Sequence, residues 1–151
     1  MDNTVVKKKF NELSANEVYD ILKLRNEVFI VEQNCAYGDI DGRDPGSVHI
    51  YLLAEDSMAA YCRVLPPGLA FDCAAIGRVV TKMEHRGQGY ARKLMKQAIS
   101  YINGREYSGR IKVSAQAYLK DFYGSLGFKI ISDVYLEDGI PHYEMLYEKG
   151  D

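Results

Sequence analysis

The chain has 151 residues, of which 47% are hydrophobic and 26% charged, and its formal net charge is −2 with a pI near 5.9. A chain of this length and composition is expected to be one domain over residues 1–151, with a core that needs neither disulfides nor metals, and its slightly acidic balance lacks the basic excess of a nucleic-acid binder. Cys35, Cys62 and Cys73 match no disulfide or zinc spacing, no apolar run approaches a membrane span, and residues 1–10 hold no signal-peptide core, so a cytoplasmic chain without metal, membrane or nucleic-acid partners is expected.

Thr4–Phe10 reads as a first strand, with Lys7-Lys8-Lys9 as its solvated basic run. A helix begins at Leu13-Ser14, where Ser14 and Glu17 fit a capping box. It continues to about Val31 through Val18, Ile21, Leu22, Arg25, Val28 and Phe29 at helical spacing. Gln33–Gly46 is dense in Gly, Asp, Asn and Pro and reads as a long loop, a feature that often serves function in compact domains. Val48–Glu55 and Ala59–Leu65 read as strands around a turn at Asp56-Ser57, and Pro66-Pro67-Gly68 ends the second. Ala74–Thr81 is apolar and β-branched, as a buried strand is. Tyr90–Ile102 has helical spacing, Arg110–Ala115 is a short strand, and Leu119–Leu126 is a short amphipathic helix stopped by Gly127. Phe128–Leu136 and His142–Glu148 form a terminal hairpin around Glu137–Pro141. Strand–helix alternation in the middle predicts parallel pairing there, and the terminal hairpins predict antiparallel edges. The sum is a mixed α/β (α+β) fold, a mostly antiparallel central sheet with helices on both faces.

Ala74–Met95 carries the strongest chemical signal: a buried strand, the turn Arg86-Gly87-Gln88-Gly89-Tyr90-Ala91, then a helix. The two glycines let the backbone turn tightly and approach a ligand. The free amides and dipole of the helix start make an anion site suited to a pyrophosphate, with Arg86 and Arg92 adding charge. The alternative is an ordinary strand-to-helix turn that uses two glycines. A GxxxxGK[ST] loop is absent, as are the third glycine and downstream acid of a dinucleotide fingerprint.

The same turn resembles the acyl-CoA pyrophosphate loop of the GNAT N-acetyltransferases, whose pattern is Arg/Gln-x-x-Gly-x-Gly/Ala. Phe122-Tyr123-Gly124-Ser125-Leu126-Gly127-Phe128 is similar to that family's Phe-Tyr-x-x-x-Gly-Phe. Leu24–Gln33, Asp39-Ile40-Asp41-Gly42 and Asp138-Gly139-Ile140-Pro141-His142 look like its ElaA-like branch, and together these segments span nearly the whole chain. The resemblance implies the GNAT acyl-CoA N-acyltransferase fold and acetyl-CoA as co-substrate. It implies backbone contacts of Val79 and Thr81 to the pantetheine arm, and pyrophosphate contacts from Gly87, Gln88, Gly89, Tyr90 and Ala91. Tyr123 would be the acid that protonates the leaving thiolate. Gln116 departs from the pattern, standing where many members have an Asn near the cofactor.

Acyl transfer to an amine needs a deprotonated nitrogen, a stabilised oxyanion and a donor to the thiolate. Tyr123 suits the last role, and its alternative is a core aromatic among twelve tyrosines. The base is left open among Glu32, Asp39, Asp41, His49 and His142; His142 is the catalytic candidate because it opens the last strand beside a turn. Glu32, Asp39 and Asp41 are the acceptor-binding candidates, since carboxylates hold an ammonium; plain turn chemistry is the alternative for the aspartates. Arg25 would anchor the loop by a carboxylate pair or sit exposed on its helix. The expected partner is a small-molecule or peptide amine, and a homodimer is compatible with the chain. Two other readings stand beside the acetyltransferase. Arg25-Asn26-Glu27-Val28-Phe29 also resembles the start of homoserine-lactone synthases, acyl-transferring makers of signal molecules, and a non-catalytic acyl-CoA-binding sensor is the third.

Overall fold

The computed structural model describes residues 3–150. Strand β1 (Asn3–Lys9) leads into helix α1 (Ala15–Arg25), whose start is set by its first polar side chains. Ser14 Oγ accepts the Glu17 amide at 3.1 Å while Glu17 Oε1 accepts the Ser14 amide at 2.8 Å. This reciprocal box satisfies two amides that the helix itself cannot. Past Arg25 the coil widens over Asn26–Glu32, where Gln33 N reaches Val28 O and Cys35 N reaches Ile30 O, both at 3.1 Å. The expected helix to Val31 is thus an α-helix continued by a π-type segment.

Strands β2 (Val48–Ala54) and β3 (Ser57–Leu65) form a hairpin whose turn residues Glu55 and Asp56 both have positive φ, one residue earlier than the sequence suggests. They are followed by β4 (Ala74–Thr81), α2 (Tyr90–Asn103), β5 (Arg110–Gln116) and α3 (Lys120–Ser125). The expected strand Phe128–Leu136 is broken into β6 (Lys129–Ile130) and β7 (Tyr135–Glu137), and β8 (Ile140–Glu148) closes the chain. The break has a local cause. Ser132 Oγ accepts the Glu144 amide at 2.9 Å, so a side chain replaces the backbone partner and the ladder lapses.

The eight strands make one sheet in the order β1-β2-β3-β4-β5-β8-β6, with β7 also on β8. Every pair is antiparallel except β4–β5. Alternation then sorts side chains to two faces. Ile50, Leu52, Cys62 and Val64 meet Leu94, Met95, Ala98 and Ile102 of α2 on one face. Tyr51, Tyr61 and Val80 meet Ile21, Leu24 and Val28 on the other.

Strand β4 obeys this alternation only in part. Its register to β3 runs Arg63↔Gly77 and then Tyr61↔Val80, so β4 holds one extra residue there. Arg78 occupies this bulge with φ 50°, a left-handed conformation that costs an arginine strain energy. Ile76 faces α2, yet Val80, of the same parity, faces α1. The bulge has turned the strand over. Just before it β4 and β5 part company: only Ala74↔Ile111 and Ala75↔Lys112 are paired. No helix among the described residues is long and apolar enough to cross a membrane.

Gly127 stops α3 with φ 103°, and its successor Phe128 donates its amide to Tyr123 O at 3.1 Å. A Cβ at Gly127 would lie 3.2 Å from the Tyr147 ring. We expect Gly127→Ala to cost at least about 1–2 kcal/mol from the backbone conformation alone. Urea unfolding of the variant against wild type measures this, and an equal midpoint would contradict the stop.

Candidate functional site

The parting of β4 from β5 leaves a cleft of about 670 Å³, within the range of small-molecule sites. Its walls are β4 from Ile76 to Thr81, Ser114 and Gln116 of β5, the π-type segment, the turn before α2, α3, and the tip of the β7–β8 hairpin. The β5-facing backbone groups of β4 beyond Ala75 have no strand partner in β5. Val79 and Thr81 therefore sit where an extended ligand arm can pair with them as a strand would.

At one end of the cleft the chain turns through Gly87 and Gly89, with φ 80° and 79°, into the first turn of α2. No side chain caps this helix, and its first turn holds no acid. A Cβ at either glycine would meet nothing within 4 Å, so the space above the amides of Gly87–Ala91 is open. Free amides, helix dipole and open space together suit an anion. His85, Arg86 and Arg92 line this end. Arg92 is drawn toward α3, 2.9 Å from Ser125 Oγ and over the Phe122 ring. The side chain of Gln88 turns aside to accept the Tyr90 hydroxyl at 2.9 Å.

The π-type segment crosses the cleft mouth. Glu32 takes both Nη groups of Arg86, at 2.5 and 2.7 Å, while Arg86 Nε donates to Thr81 O at 3.1 Å. The Arg86 hydrogen bonds and charge hold the Glu32 carboxyl below its ordinary range. Gln33 and Gln116 exchange amide hydrogen bonds at 3.3 Å across to β5. Val28, Phe29, Glu32 and Gln33 all face the cleft from this segment.

Asp39 and Asp41, expected to hold the acceptor, are placed elsewhere, and neither lines the cleft. Asp39 takes Arg25 Nε at 2.8 Å, has Arg78 Nε at 2.8 Å off the N–H direction, and accepts the Tyr37 hydroxyl at 2.9 Å. Asp41 takes both Nη groups of Arg63, at 2.9 and 2.5 Å, and Arg78 Nη2 at 3.4 Å. Asp44 completes the cluster, bonding Arg25 at 2.7 Å and Arg63 at 2.9 Å. Three aspartates and three arginines thus neutralise one another, with Arg25 wholly buried and Arg63 2% exposed. Carboxylates so occupied have no spare capacity for a substrate ammonium. Asp44, Arg63 and Arg78 carried a signal in the sequence. An arginine inside an apolar strand, as in Tyr61-Cys62-Arg63-Val64, demands a buried carboxylate.

Burial alone would raise the Asp41 carboxyl. Hydrogen bonds from Arg63 and the Arg43 amide, with the charges of Arg63 and Arg78, outweigh it and hold the group far below the usual range. Asp44 is depressed likewise, against its own burial, by Arg25 and Arg63. His49, a base candidate, is excluded from the cleft. Its Nε2–H donates to Asp44 O at 2.9 Å, its Nδ1 accepts the Tyr61 hydroxyl at 2.6 Å, and burial lowers its basicity.

Tyr123 and His142 do line the cleft. Burial pushes the Tyr123 phenol well above its ordinary value, which keeps the proton on it. His142 is 6% exposed, and its Nδ1 lies 2.7 Å from the Ile140 carbonyl. A carbonyl only accepts, so Nδ1 carries the hydrogen and the neutral ring keeps its lone pair on Nε2. Tyr135 stacks on this ring at 6.0 Å between centroids. Glu137, which sequence reasoning left in a turn, stands beside it, with Oε2 3.6 Å from Nε2. Cys35 donates its thiol to Asp138 O at 3.4 Å, a fixing contact for the hairpin tip. Among the described residues no three His, Cys, Asp or Glu side chains gather as a metal site would require.

Residues 11–149 match the family described as Acetyltransferase (GNAT) domain. A UPF0039 protein of Schizosaccharomyces pombe is 44% identical over 146 residues, covering 95% of both chains. Protein ElaA of Escherichia coli is 39% identical over 140 residues, 91% of this chain and 92% of that protein. Its crystal structure superposes with a TM-score of 0.91 over 97% of this chain and all of that one, at 36% identity. An acyl-CoA N-acyltransferase from Pseudomonas aeruginosa gives 0.89, 36% identity, and coverage of 97% and 99%.

Removing one partner from a buried ion pair strands the other charge, so Arg25→Met or Asp44→Asn is expected to cost about 3–5 kcal/mol. The pH dependence has a fixed sign. The folded carboxyls of Asp41 and Asp44 titrate below their unfolded values, so their stabilisation is full above about pH 5 and falls away below about pH 4. Urea unfolding at several pH values reads both effects. Stability unchanged by either variant, or flat from about pH 6 to about pH 3, would contradict the cluster.

Proposed function

Because the chain belongs to the GNAT acetyltransferase family, whose members transfer acyl groups from acyl-CoA to nitrogen, we propose that it moves an acetyl group from acetyl-CoA to an amine. The carrying observation is the divergence of β4 and β5 directly above a glycine turn and an uncapped helix start. An acyl-CoA has a peptide-like arm and a pyrophosphate, and these are the two things such a cleft can pair with. The pantetheine arm lies along Val79 and Thr81. The pyrophosphate sits on the amides of Gly87, Gln88, Gly89, Tyr90 and Ala91, with Arg86 and Arg92 contributing charge. Gln116 shapes the β5 side of the cleft.

Transfer is direct. The amine nitrogen attacks the thioester carbonyl carbon, the C–S bond breaks, and Tyr123 protonates the departing thiolate. The hydroxyl lines the cleft, and burial keeps its proton in place until the thiolate forms beside it. His142 takes a proton from the incoming amine through Nε2. The segment Arg25–Phe29, which also resembles homoserine-lactone synthases, is accounted for by its places: Arg25 in the ion cluster, Val28 and Phe29 on the cleft wall.

Thiol release from acetyl-CoA against a panel of polyamines, amino acids, aminoglycosides and peptides tests the reading, and release with no amine would overturn it. We expect Tyr123→Phe to lower turnover by about ten- to a thousandfold and leave CoA affinity near wild type. Gly87→Asp or Gly89→Asp should weaken CoA binding strongly, because it adds negative charge where the pyrophosphate sits. Calorimetric titration with CoA measures the latter, and wild-type affinity in both glycine variants would remove the cofactor from this turn.

A further inference from the structure

The part of the cleft lined by the β7–β8 turn is built differently from the part at the glycine turn. Arg86, Arg92 and His85 belong to the latter, whereas Glu137 and Asp138 line the former. Here the hydrogen-bond arrangement is incomplete in a specific way. His142 Nδ1–H is committed to the Ile140 carbonyl, so the neutral ring presents a lone pair at Nε2. That lone pair faces Glu137 Oε2 at 3.6 Å. The other oxygen, Oε1, accepts from Ser114 Oγ at 3.3 Å, and Ser114 Oγ is in turn bonded to the Tyr135 hydroxyl. With the ring neutral, two acceptors confront each other with no hydrogen between them. A donor with more than one N–H and a positive charge satisfies both at once.

The position is also fixed. Tyr135 pairs with His142 across the hairpin and stacks on it. The turn is a tight one through Asp138 and Gly139, with φ 52° and 78°. The Glu137 side chain is 49% exposed, so a ligand can reach it from solvent, while the His142 side chain at 8% is sheltered. By contrast the acids first considered for the acceptor are spoken for: Glu32 by Arg86, and Asp39 and Asp41 by the ion cluster. Asp138 lines the cleft too, but among the described residues no lone pair of a base stands beside it as His142 stands beside Glu137.

We infer that Glu137 is the acceptor-binding carboxylate, and that it takes the ammonium group of a small aliphatic amine between its Oε2 and His142 Nε2. The inference rests on the acyltransfer reading above and names its acceptor class. One proton passes from the ammonium to His142 Nε2 and on to solvent. The freed nitrogen lone pair forms the C–N bond as the C–S bond breaks. The second nitrogen proton replaces the one Tyr123 gives to the thiolate. Overall an ammonium and a thioester yield an amide, a thiol and one released proton. Glu137 stays ionised throughout and serves to hold the cation in line.

The test uses the full chain, with n-butylamine as probe and n-butanol as its uncharged counterpart. Calorimetric titration in the presence of CoA should detect butylammonium and not butanol, and Glu137→Gln should weaken the former about ten- to a hundredfold, as loss of a charge-assisted hydrogen bond does. In steady-state assays the same variant should raise the KM for amine similarly and leave that for acetyl-CoA within about twofold. Glu137→Asp should recover part of the loss. Equal amine binding in wild type and Glu137→Gln would overturn the inference, as would a parallel loss of CoA affinity, which marks a merely structural role. Binding that depends on Glu137 without thiol release from any amine would leave the carboxylate site standing and overturn the acyltransfer reading instead.

Discussion

The bulge at Arg78 is the constraint that shapes the cleft wall. The strand leaves β5 after two paired residues, and one extra residue just beyond that point reverses which side chains of β4 face α1. A left-handed arginine is unfavourable by itself, so something must hold it. Asp39 and Asp41 do so with two carboxylates and a backbone carbonyl, and Tyr37 lies under the guanidinium at 5.6 Å. Those aspartates are themselves fixed by Arg25 from α1 and Arg63 from β3. The long loop is thus less a lid than the outer half of a neutral ion cluster that clamps the bulge. Buried ion pairs of this sort add little net stability, but each member becomes costly to remove.

With the bulge in place, the rest of the cleft is a matter of charge. The uncapped start of α2, His85, Arg86 and Arg92 make one end attractive to phosphates. Glu137 and Asp138 add negative charge where the β7–β8 turn lines the same cleft. The buried phenol of Tyr123 and the lone pair of His142 line that same space. The bridges Glu32–Arg86 and Gln33–Gln116 tie the π-type segment to both banks, so the mouth is closed by side chains that a ligand can displace.

Local signals in the sequence proved legible, and tertiary ones did not. The Ser14–Glu17 box, the Gly87 and Gly89 turn and the Gly127 stop are each written in a few adjacent residues, because each solves a problem of the nearby backbone. The order of strands and helices was enough for a mostly antiparallel sheet, which the family resemblance also implied. The bulge left no mark, since Gly77-Arg78 becomes irregular only against β3. The break at Ser132 depends in the same way on the amide of Glu144 twelve residues later. Asp39 and Asp41 stand out in the sequence as carboxylates, but an aspartate reads the same whether it awaits a substrate or an arginine far along the chain. Glu137 was hidden for the opposite reason, as one more polar residue in a turn until the hairpin set it beside His142.

The central claim is that acyl-CoA fills the gap between β4 and β5. A crystal structure of the chain with CoA bound tests it most directly. The account predicts the pantetheine arm alongside the unpaired edge of β4 from Ile76 to Thr81, with the pyrophosphate on the amides of Gly87–Ala91. CoA bound anywhere else on the molecule, with β4 and β5 still parted and the gap unfilled, would contradict it.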